Sequence, residues 1–270
     1  MLVIDTHCHI QRDTSNAGGD AEEDTHRPPD GEGDVLYCPM AVDEGDWAAV
    51  LKLRGSIAAY GLGIHPWRAH KATAGWEGRL EAALRADPAA IVGECGLDKA
   101  AKTPETGQTE WAAQQAVFEA QMRLAATLER PVSVHCVRAH GALYEYLREA
   151  QAKGEGATPP TVALHSYTGS PELAISLCRL PRVGEGIFFG FSAAVNLKTP
   201  AMGNKLQEVV ARIPYDRILL ESDLDERRPI PSALGRVAEA LAAATGMECL
   251  ALVALCQRNA ARFLRRPAVP

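Results

Sequence analysis

Short apolar runs, each bounded by polar residues or glycine, recur along the chain. Val, Ile, Leu and Ala dominate these runs, and apolar and polar residues do not alternate cleanly within them. This pattern is typical of parallel strands that are buried on both faces. The predicted strands are residues 2–6, 35–40, 57–64, 90–95, 132–135, 161–165, 186–191 and 218–221.

Helical patterns fill most of the intervals between these strands. The predicted helices are residues 46–53, 76–86, 111–129, 139–152, 171–178, 200–213, 231–244 and 248–264. Eight strands that alternate with helices favour a (β/α)8 TIM barrel, which typically needs about 250 residues. We therefore predict an α/β fold with one TIM-barrel domain over residues 1–270, in which Gly186 and Gly190 could mark bulges of the seventh strand.

Residues 11–33 interrupt this alternation with Asp, Glu, Gly, Pro and Thr and little apolar mass. The segment directly follows the first strand, so we predict a solvated, mobile acidic loop at the C-terminal rim of the barrel. Two interpretations stay open. The segment is either an insertion that the fold tolerates, because long loops cost little free energy, or a lid or docking loop for a protein partner.

Composition narrows the class of protein. The chain is 47% hydrophobic and 23% charged, which excludes a disordered tail, a collagen-like chain and a small disulfide scaffold. Its 28 Lys and Arg against 34 Asp and Glu give a net charge of −6. A nucleic-acid site would therefore need a local group of basic residues rather than an overall basic surface.

Cysteine usage and hydropathy bear on the compartment. The chain has seven Cys, an odd number, and no two of them form a C-x-x-C motif. The N-terminal residues show no signal-peptide pattern. We expect a reduced intracellular protein, in the cytoplasm, the nucleus or both. No apolar run approaches about 18 residues, so neither a membrane span nor a membrane partner is predicted.

Ionisable side chains gather at the predicted C-terminal ends of the strands, where the active sites of such barrels lie. His7 and His9 are two residues apart, and this spacing turns both imidazoles to the same side of a strand. The residues at these strand ends are His7, His9, His65, Glu94, His135, His165 and Asp223.

Such a group favours a metal site. A single buried His is usually a hydrogen-bonded core residue, but burying so many titratable groups without an ion would be costly. Imidazole and carboxylate ligands suit Zn, Mn, Fe or Ni, and they suit Mg less well when several His bind. The ligands are too many for one tetrahedral ion, and a bridging Glu94 would give a two-metal site about 3.5–4 Å across.

The ordered motifs DTHCH, GIHPW, VGECGLD, PVSVHC, LHSYTGSP and LLESD resemble the TatD family of metal-dependent deoxyribonucleases, within the amidohydrolase superfamily. The resemblance runs from Asp5 to about Arg266. It implies a (β/α)8 barrel that binds divalent ions, with two (Mg, Mn or Zn) expected here. The implied ligands are His7, His9, Glu94 and Asp223 for one ion and Glu94, His135 and His165 for the second.

The resemblance also implies roles beyond metal binding. Glu94 and Asp223 are expected to be catalytic, and Asp223 would lie beside the attacking water. His65 is expected to contact a phosphate or the leaving group, unless it is only a structural hydrogen-bonding residue. Three further roles follow from predicted position and residue type rather than from the resemblance. Arg138 would contact a phosphate or be a plain surface charge. Tyr167, like Trp67, would stack on a base or pack in the rim.

The resulting functional hypothesis is a TatD-type deoxyribonuclease that cleaves phosphodiester bonds of DNA with a metal-activated water. One alternative is an amidohydrolase-superfamily enzyme that acts on another ester or an amide, because fold and metal set do not fix the substrate. Another is a partner-binding protein that retains the metal site and uses loop 11–33. The run HCVRAHGAL and the acidic insertion look most like the fungal branch described as Cut9-interacting proteins.

Overall fold

The computed structural model describes residues 2–13, 35–154 and 156–267. Each of the eight predicted strands is confirmed, with ends that shift by a few residues. The strands are β1 Val3–Cys8, β2 Val35–Pro39, β3 Tyr60–Leu62, β4 Ala90–Asp98, β5 Val132–Val137, β6 Val162–Leu164, β7 Ile187–Ser192 and β8 Ile218–Glu221.

Helices separate most of these strands, as the sequence predicts. They are α1 Glu44–Lys52, α2 Trp76–Ala86, α3 Trp111–Thr127, α4 His140–Ala152, α5 Pro171–Cys178, α6 Ala193–Asn196, α7 Pro200–Val210, α8 Ile230–Thr245 and α9 Cys249–Phe263. Local chemistry fixes several starts. Ser170 accepts a hydrogen bond from Leu173 N at the start of α5, and Thr199 does the same for Met202 N in α7. The single turn α6 was not predicted, because four residues are too few to show a helical period.

All the strand pairs are parallel, and they form two sheets. β1 pairs with β2, and the second sheet runs in the order β3-β4-β5-β6-β7-β8. Isolated bridges, Tyr37 to Ile57 and Met40 to Gly61, connect β2 to the region of β3. On the other side, Asp223 N donates to His7 O at 2.9 Å, which links the end of β8 to β1.

The predicted eight-stranded barrel is therefore only partly confirmed. Within the described ranges, the structure shows an α/β fold with a six-stranded and a two-stranded parallel sheet rather than one continuous ladder. The pairing is irregular at two places. β2 meets β3 only through isolated bridges. The end of β8 meets β1 through the backbone bonds from Asp223 N to His7 O and from His9 N to Leu224 O.

The irregular pairing lies in other strands than the sequence predicts. β7 pairs in regular register with β6 and β8, whereas the register shifts in β4 between Val92 and Cys95. The expected bulge at Gly190 is therefore wrong. A Cβ at that position would lie 2.0 Å from Glu221 Oε2, so Gly190 is needed to make room for a buried carboxylate.

Along the strands, a layer of apolar side chains is followed by a layer of ionisable side chains. An apolar cluster that includes Ile4, Ile91, Ala163 and Leu219 lies near the strand starts. The ionisable residues come two or three positions later on the same strands, so the site rests on a packed apolar layer. Burial of that layer stabilises the strands that position the site.

The predicted acidic loop of residues 11–33 lies outside the described residues from position 14 onward. Its first residues belong to a short 3-10 helix, Ile10–Arg12, whose Ile10 is buried. Among the helices of the described ranges, none is individually long and apolar enough to cross a membrane. The pair α8 and α9, bent by 103° at the break between them, passes the same test of length and composition when taken together.

Candidate metal centre

Glu94 is the centre of the site, and its two carboxylate oxygens face different pairs of imidazoles. Glu94 Oε1 lies 3.0 Å from His135 Nδ1 and 2.9 Å from His165 Nε2. Glu94 Oε2 lies 3.4 Å from His7 Nε2 and 3.5 Å from His9 Nε2. One carboxylate therefore stands between the imidazoles of His135 and His165 on one side and those of His7 and His9 on the other, as a bridging ligand would.

The geometry of β4 and β5 brings these groups together. The register shift around Glu94 re-aims its side chain toward the interior, as bulges near active sites commonly do. Gly96 then lies so close to β5 that a Cβ would come within 1.9 Å of His135 O. Gly96, the second glycine of the motif VGECGLD, thus allows the two strands to hold Glu94 and His135 side by side.

The outer nitrogens of His7 and His9 are held by oxygen atoms. His7 Nδ1 forms a hydrogen bond of 2.9 Å with Ser133 Oγ. His9 Nδ1 donates to Met40 O at 2.8 Å, so the neutral ring has its lone pair on Nε2. Both partners hold the orientation of the ring, and the carbonyl oxygen of Met40, which can only accept, also fixes the tautomer of His9.

In the second pair, only the outer nitrogen of His135 has such a hydrogen bond. His135 Nε2 donates to Asp98 Oδ2 at 3.3 Å, which leaves Nδ1 as the nitrogen that faces Glu94. His165 Nδ1 lies 3.5 Å from Glu221 Oε1 and has no hydrogen bond, while its Nε2 faces Glu94. Glu221 itself accepts hydrogen bonds from the backbone N–H of Ser166 and, at 2.9 Å, from the Ser166 hydroxyl.

His65 differs from the other four imidazoles. Trp67 N donates to His65 Nδ1 at 3.1 Å, so the neutral ring carries its proton on Nε2. Burial lowers the pKa of His65 to about 4, which keeps the ring neutral at pH 7. Its Nε2–H lies 3.3 Å from Glu94 Oε1 and is a hydrogen-bond donor, not a lone pair for a metal.

Electrostatics favours positive charge at this centre. Burial alone would raise the pKa of Glu94, but the imidazoles of His65, His165 and His7 hold it well below its usual range. Burial opposes charge on His165 too, yet Glu94 and Glu221 raise its pKa well above the ordinary value. A site with these shifts binds protons at low pH and a cation when the protons leave.

Asp223 stands at the open edge of the cluster. Its Oδ1 lies 3.7 Å from His9 Nε2, and Ser166 Oγ lies 3.4 Å from its Oδ2. Its φ of 58° turns the chain sharply after β8. The side chain is 19% exposed, against 3% for Glu94, so Asp223 is the carboxylate that water can reach most easily.

A cavity of about 320 Å³ opens over this centre. Its lining residues are His9, Arg12, Val42, His65, Trp67, Arg68, Glu94, His135, His165 and Asp223. His7, which is fully buried, completes the cluster from below.

Two predicted substrate-binding residues lie elsewhere. Tyr167 is 3% exposed, its ring packs against Phe189 and His140, and its hydroxyl donates to Ser170 O at 3.0 Å. This burial favours packing, the alternative left open for Tyr167, and its stacking role stays a prediction. Arg138 is exposed and does not line the cavity, so its phosphate contact stays a prediction.

The structure adds residues that sequence reasoning missed. Arg12 and Arg68 bring positive charge to the mouth of the cavity, each with an acidic partner. Arg12 Nη2 donates to Asp46 Oδ2 at 2.9 Å, and Arg68 Nε lies 3.5 Å from Asp43 Oδ2. Both arginines belong to 3-10 helices that directly follow a histidine of the site. This closeness in sequence to His9 and His65 is the signal from which the two arginines could have been predicted.

The donor set fits divalent cations. The buried His7 Nε2 has no hydrogen-bond partner although it faces a carboxylate, and such an atom is costly unless a cation satisfies it. Among the described residues, potential ligand atoms lie within 4.8 Å of one another in three groups: His7, Glu94 and His165; His7, His9 and Asp223; and His65, Glu94 and His135. The assignment of ligands to two separate ions stays a prediction.

Comparison with known proteins adds independent information. Residues 4–265 match the family described as TatD related DNase. The chain is 27% identical to an uncharacterized deoxyribonuclease of Saccharomyces cerevisiae, over 85% of this chain and 86% of that protein. It is 30% identical to a 3'-5' ssDNA/RNA exonuclease TatD of Cronobacter turicensis, over 87% of this chain and 88% of that protein.

A solved structure supports the fold. The TatD homolog YjjV of Escherichia coli superimposes with a TM-score of 0.73 at 23% sequence identity, covering 98% of both chains. The predicted class, a metal-dependent hydrolase of the TatD nuclease type, is confirmed by the match along the chain. The chain belongs to the family of TatD-related DNases.

Proposed function

We propose that this protein is a metal-dependent nuclease that hydrolyses phosphodiester bonds in DNA. The observation that carries the proposal is the position of Glu94, whose two oxygens face two different pairs of imidazoles at the floor of an open cavity. Such a centre suits a reaction in which an attacking and a leaving oxygen are stabilised together.

Two divalent ions, Mg, Mn or Zn, are the proposed cofactors. His7, His9 and Asp223 with Glu94 would hold one ion, and Glu94 with His135 and His165 would hold the second. When bound, the ions supply positive charge to the scissile phosphate and make water a stronger nucleophile. The lone pair on His9 Nε2 and the absence of a hydrogen-bond partner for His7 Nε2 support this assignment.

The protein's own groups handle the protons. Asp223 is the proposed acceptor of the proton that the attacking water loses, since it is the carboxylate at the open edge. His65 is the proposed donor to a phosphate oxygen or to the leaving oxygen, because its Nε2 carries a proton and lines the cavity. Arg12 and Arg68 would contact neighbouring phosphates, which needs only local positive charge.

Further expectations remain proposals of the same kind. The bridges between β2 and β3 and the bond from Asp223 N to His7 O support closure of the two sheets into one (β/α)8 domain. A place near the fungal Cut9-interacting branch has the support of the run HCVRAHGAL and of the acidic insertion. An intracellular location, and a protein partner that binds residues 11–33, have the support of composition only.

A metal-restored nuclease assay tests the function. Protein is stripped with a chelator, reloaded with Mg²⁺, Mn²⁺ or Zn²⁺, and given single-stranded DNA, duplex DNA, RNA and small carboxylic esters. We expect cleavage of nucleic acid that requires the added metal. Hydrolysis confined to the esters would contradict the nuclease and favour another hydrolase of the same superfamily.

Asp223→Asn tests the proton acceptor. Single-turnover cleavage should fall about 10²–10⁴-fold, the usual contribution of a positioned general base. Asp225→Asn, an exposed neighbour on the same loop, is the matched control and should cleave normally. Turnover of Asp223→Asn within about threefold of wild type, at equal metal content, would contradict the role.

A further inference from the structure

Trp67 is the large aromatic side chain at the mouth of the metal cavity, and it is 59% exposed. Trp47 and Trp76 are buried, as tryptophan usually is. The exposed indole stands beside the catalytic groups, with its ring centroid 4.8 Å from that of His65 and 6.2 Å from that of His135. An exposed ring in this position has an open face toward whatever fills the cavity.

The ring is held in place rather than free to rotate. Trp67 Nε1 donates to Asp98 Oδ2 at 2.7 Å, and Asp98 is buried. The other oxygen of Asp98 accepts hydrogen bonds from Ala100 N and Ala101 N, at 2.7 and 3.0 Å. Pro66 restricts the backbone directly before Trp67. An aromatic surface fixed before binding costs little entropy when a ligand stacks on it.

The charges around the ring indicate which ligand it suits. Arg68, the next residue, and Arg12 line the same cavity as the indole. An aromatic surface that shares a cavity with cationic side chains and a candidate metal centre matches a nucleotide, whose base can stack while its phosphates meet positive charge. The base must be unstacked and unpaired to reach the ring, which a single strand permits and a duplex opposes.

We propose that Trp67 is a stacking platform for the nucleobase next to the scissile phosphate of a single-stranded nucleic acid. The inference rests on the proposed nuclease function and adds a residue that determines specificity within it. Asp98 is then a positioning residue for the platform, since it holds the indole while also bonding His135.

The test compares a strand with bases and a strand without them. Trp67→Ala and Trp67→Phe are assayed in the Mn²⁺-loaded enzyme on a short oligothymidylate and on a matching strand of tetrahydrofuran abasic units. Trp67→Ala should lower kcat/KM for oligothymidylate about 5- to 150-fold, mainly through KM, and should leave the abasic strand nearly unchanged. Trp67→Phe keeps a ring without its anchor and should fall between Trp67→Ala and wild type.

Tyr215→Ala is the matched control, because Tyr215 is 38% exposed and lies outside the cavity. It should change neither substrate. Equal losses on both strands in Trp67→Ala and Trp67→Phe, with a lower kcat, would overturn the platform and place the effect on His135 through Asp98. Wild-type enzyme that cleaves neither strand would overturn the nuclease itself, so the two failures give different results.

Discussion

Glu94 and Asp5 are both buried carboxylates of the strand interiors, and their surroundings give them opposite properties. Glu94 is enclosed by imidazoles, which hold its pKa well below the usual range. Asp5 is enclosed by hydrogen-bond donors without charge: Ser222 Oγ at 2.6 Å, Ser222 N at 2.9 Å and His7 N at 3.2 Å. Burial outweighs these bonds and raises the pKa of Asp5 to about 7.

The difference shows what makes a buried carboxylate a metal ligand. Three neutral donors satisfy the oxygens of Asp5 and leave no lone pair directed at a shared point. Around Glu94, His9 instead has the lone pair of Nε2 on the side of the carboxylate, and His7 Nε2 lacks any hydrogen-bond partner. Asp5 therefore acts as a link between β1 and the end of β8, whereas Glu94 is the centre that needs a cation.

His7 connects the two regions. Its backbone N–H donates to Asp5 Oδ1. Its ring stacks on that of His165, with centroids 3.9 Å apart, and its Nε2 lies 3.4 Å from Glu94 Oε2. Changing each carboxylate to its amide, in the same chain, separates the structural role from the metal-binding role.

Glu94→Gln should have the largest effect. The amide keeps the shape but loses the negative charge shared by both pairs of imidazoles, so divalent ions and nuclease turnover should be lost together. The loss of metal affinity should exceed the roughly 10–100-fold that follows removal of an outer partner of a ligand. Metal analysis and the fall of the melting temperature on chelation measure it, since ions stabilise only the folded state.

Asp5→Asn is the control for that substitution and should keep its metal. Full metal content in Glu94→Gln would remove Glu94 from the ligand set. Loss of metal in both variants, at equal fractions of folded protein, would show that the two carboxylates do not differ as described.

Asp5→Asn should also change the dependence of stability on pH. The folded pKa of about 7 exceeds the ordinary value of 3.8, so the folded state binds more protons between these values. The contribution of Asp5 to the free energy of unfolding is therefore greatest below pH 3.8, and it is lost as pH rises through about 7. The free energy of unfolding of Asp5→Asn relative to wild type should therefore rise across this window, by up to about 4 kcal/mol.

Urea unfolding of both proteins at several pH values measures that difference. Its trend with pH is the prediction, because the amide also alters one hydrogen bond to Ser222 at every pH. A difference that stays flat from pH 4 to 7.5 would mean that Asp5 is ionised throughout.

Much of this site could be predicted from the sequence, because strand ends of parallel sheets converge and the motifs give their order. The structure brings His7, His9, Glu94 and Asp223 together, as their positions after the strands predict. Alternation along β1 holds there, since both His7 and His9 face Glu94.

The other features of the site could not be predicted, because they lie where the backbone leaves the strand and side chains no longer alternate between its two faces. Ser166 has a φ of 42°, so the chain leaves the strand pattern there and Tyr167 turns into the core rather than toward the rim. Arg12 and Arg68 reach the cavity from short 3-10 helices, which have no periodic signature. Glu221 could have been predicted as a residue of the site, because it lies two residues before Asp223 at the end of β8.

The smallest effect we predict comes from Ser133→Ala, which acts on the Glu94 centre through one hydrogen bond. Ser133 is buried, and its hydroxyl fixes His7 Nδ1 without touching Glu94 or Asp5. Its removal takes away the hydrogen bond that orients the imidazole, so affinity for the ion near His7 should fall about 10–100-fold. Ser176→Ala, on an exposed hydroxyl of α5, is the control and should bind metal normally. Titration of chelator-treated protein with Zn²⁺ or Mn²⁺ measures both variants. Unchanged affinity in Ser133→Ala would show that packing against His165, rather than this hydroxyl, orients His7.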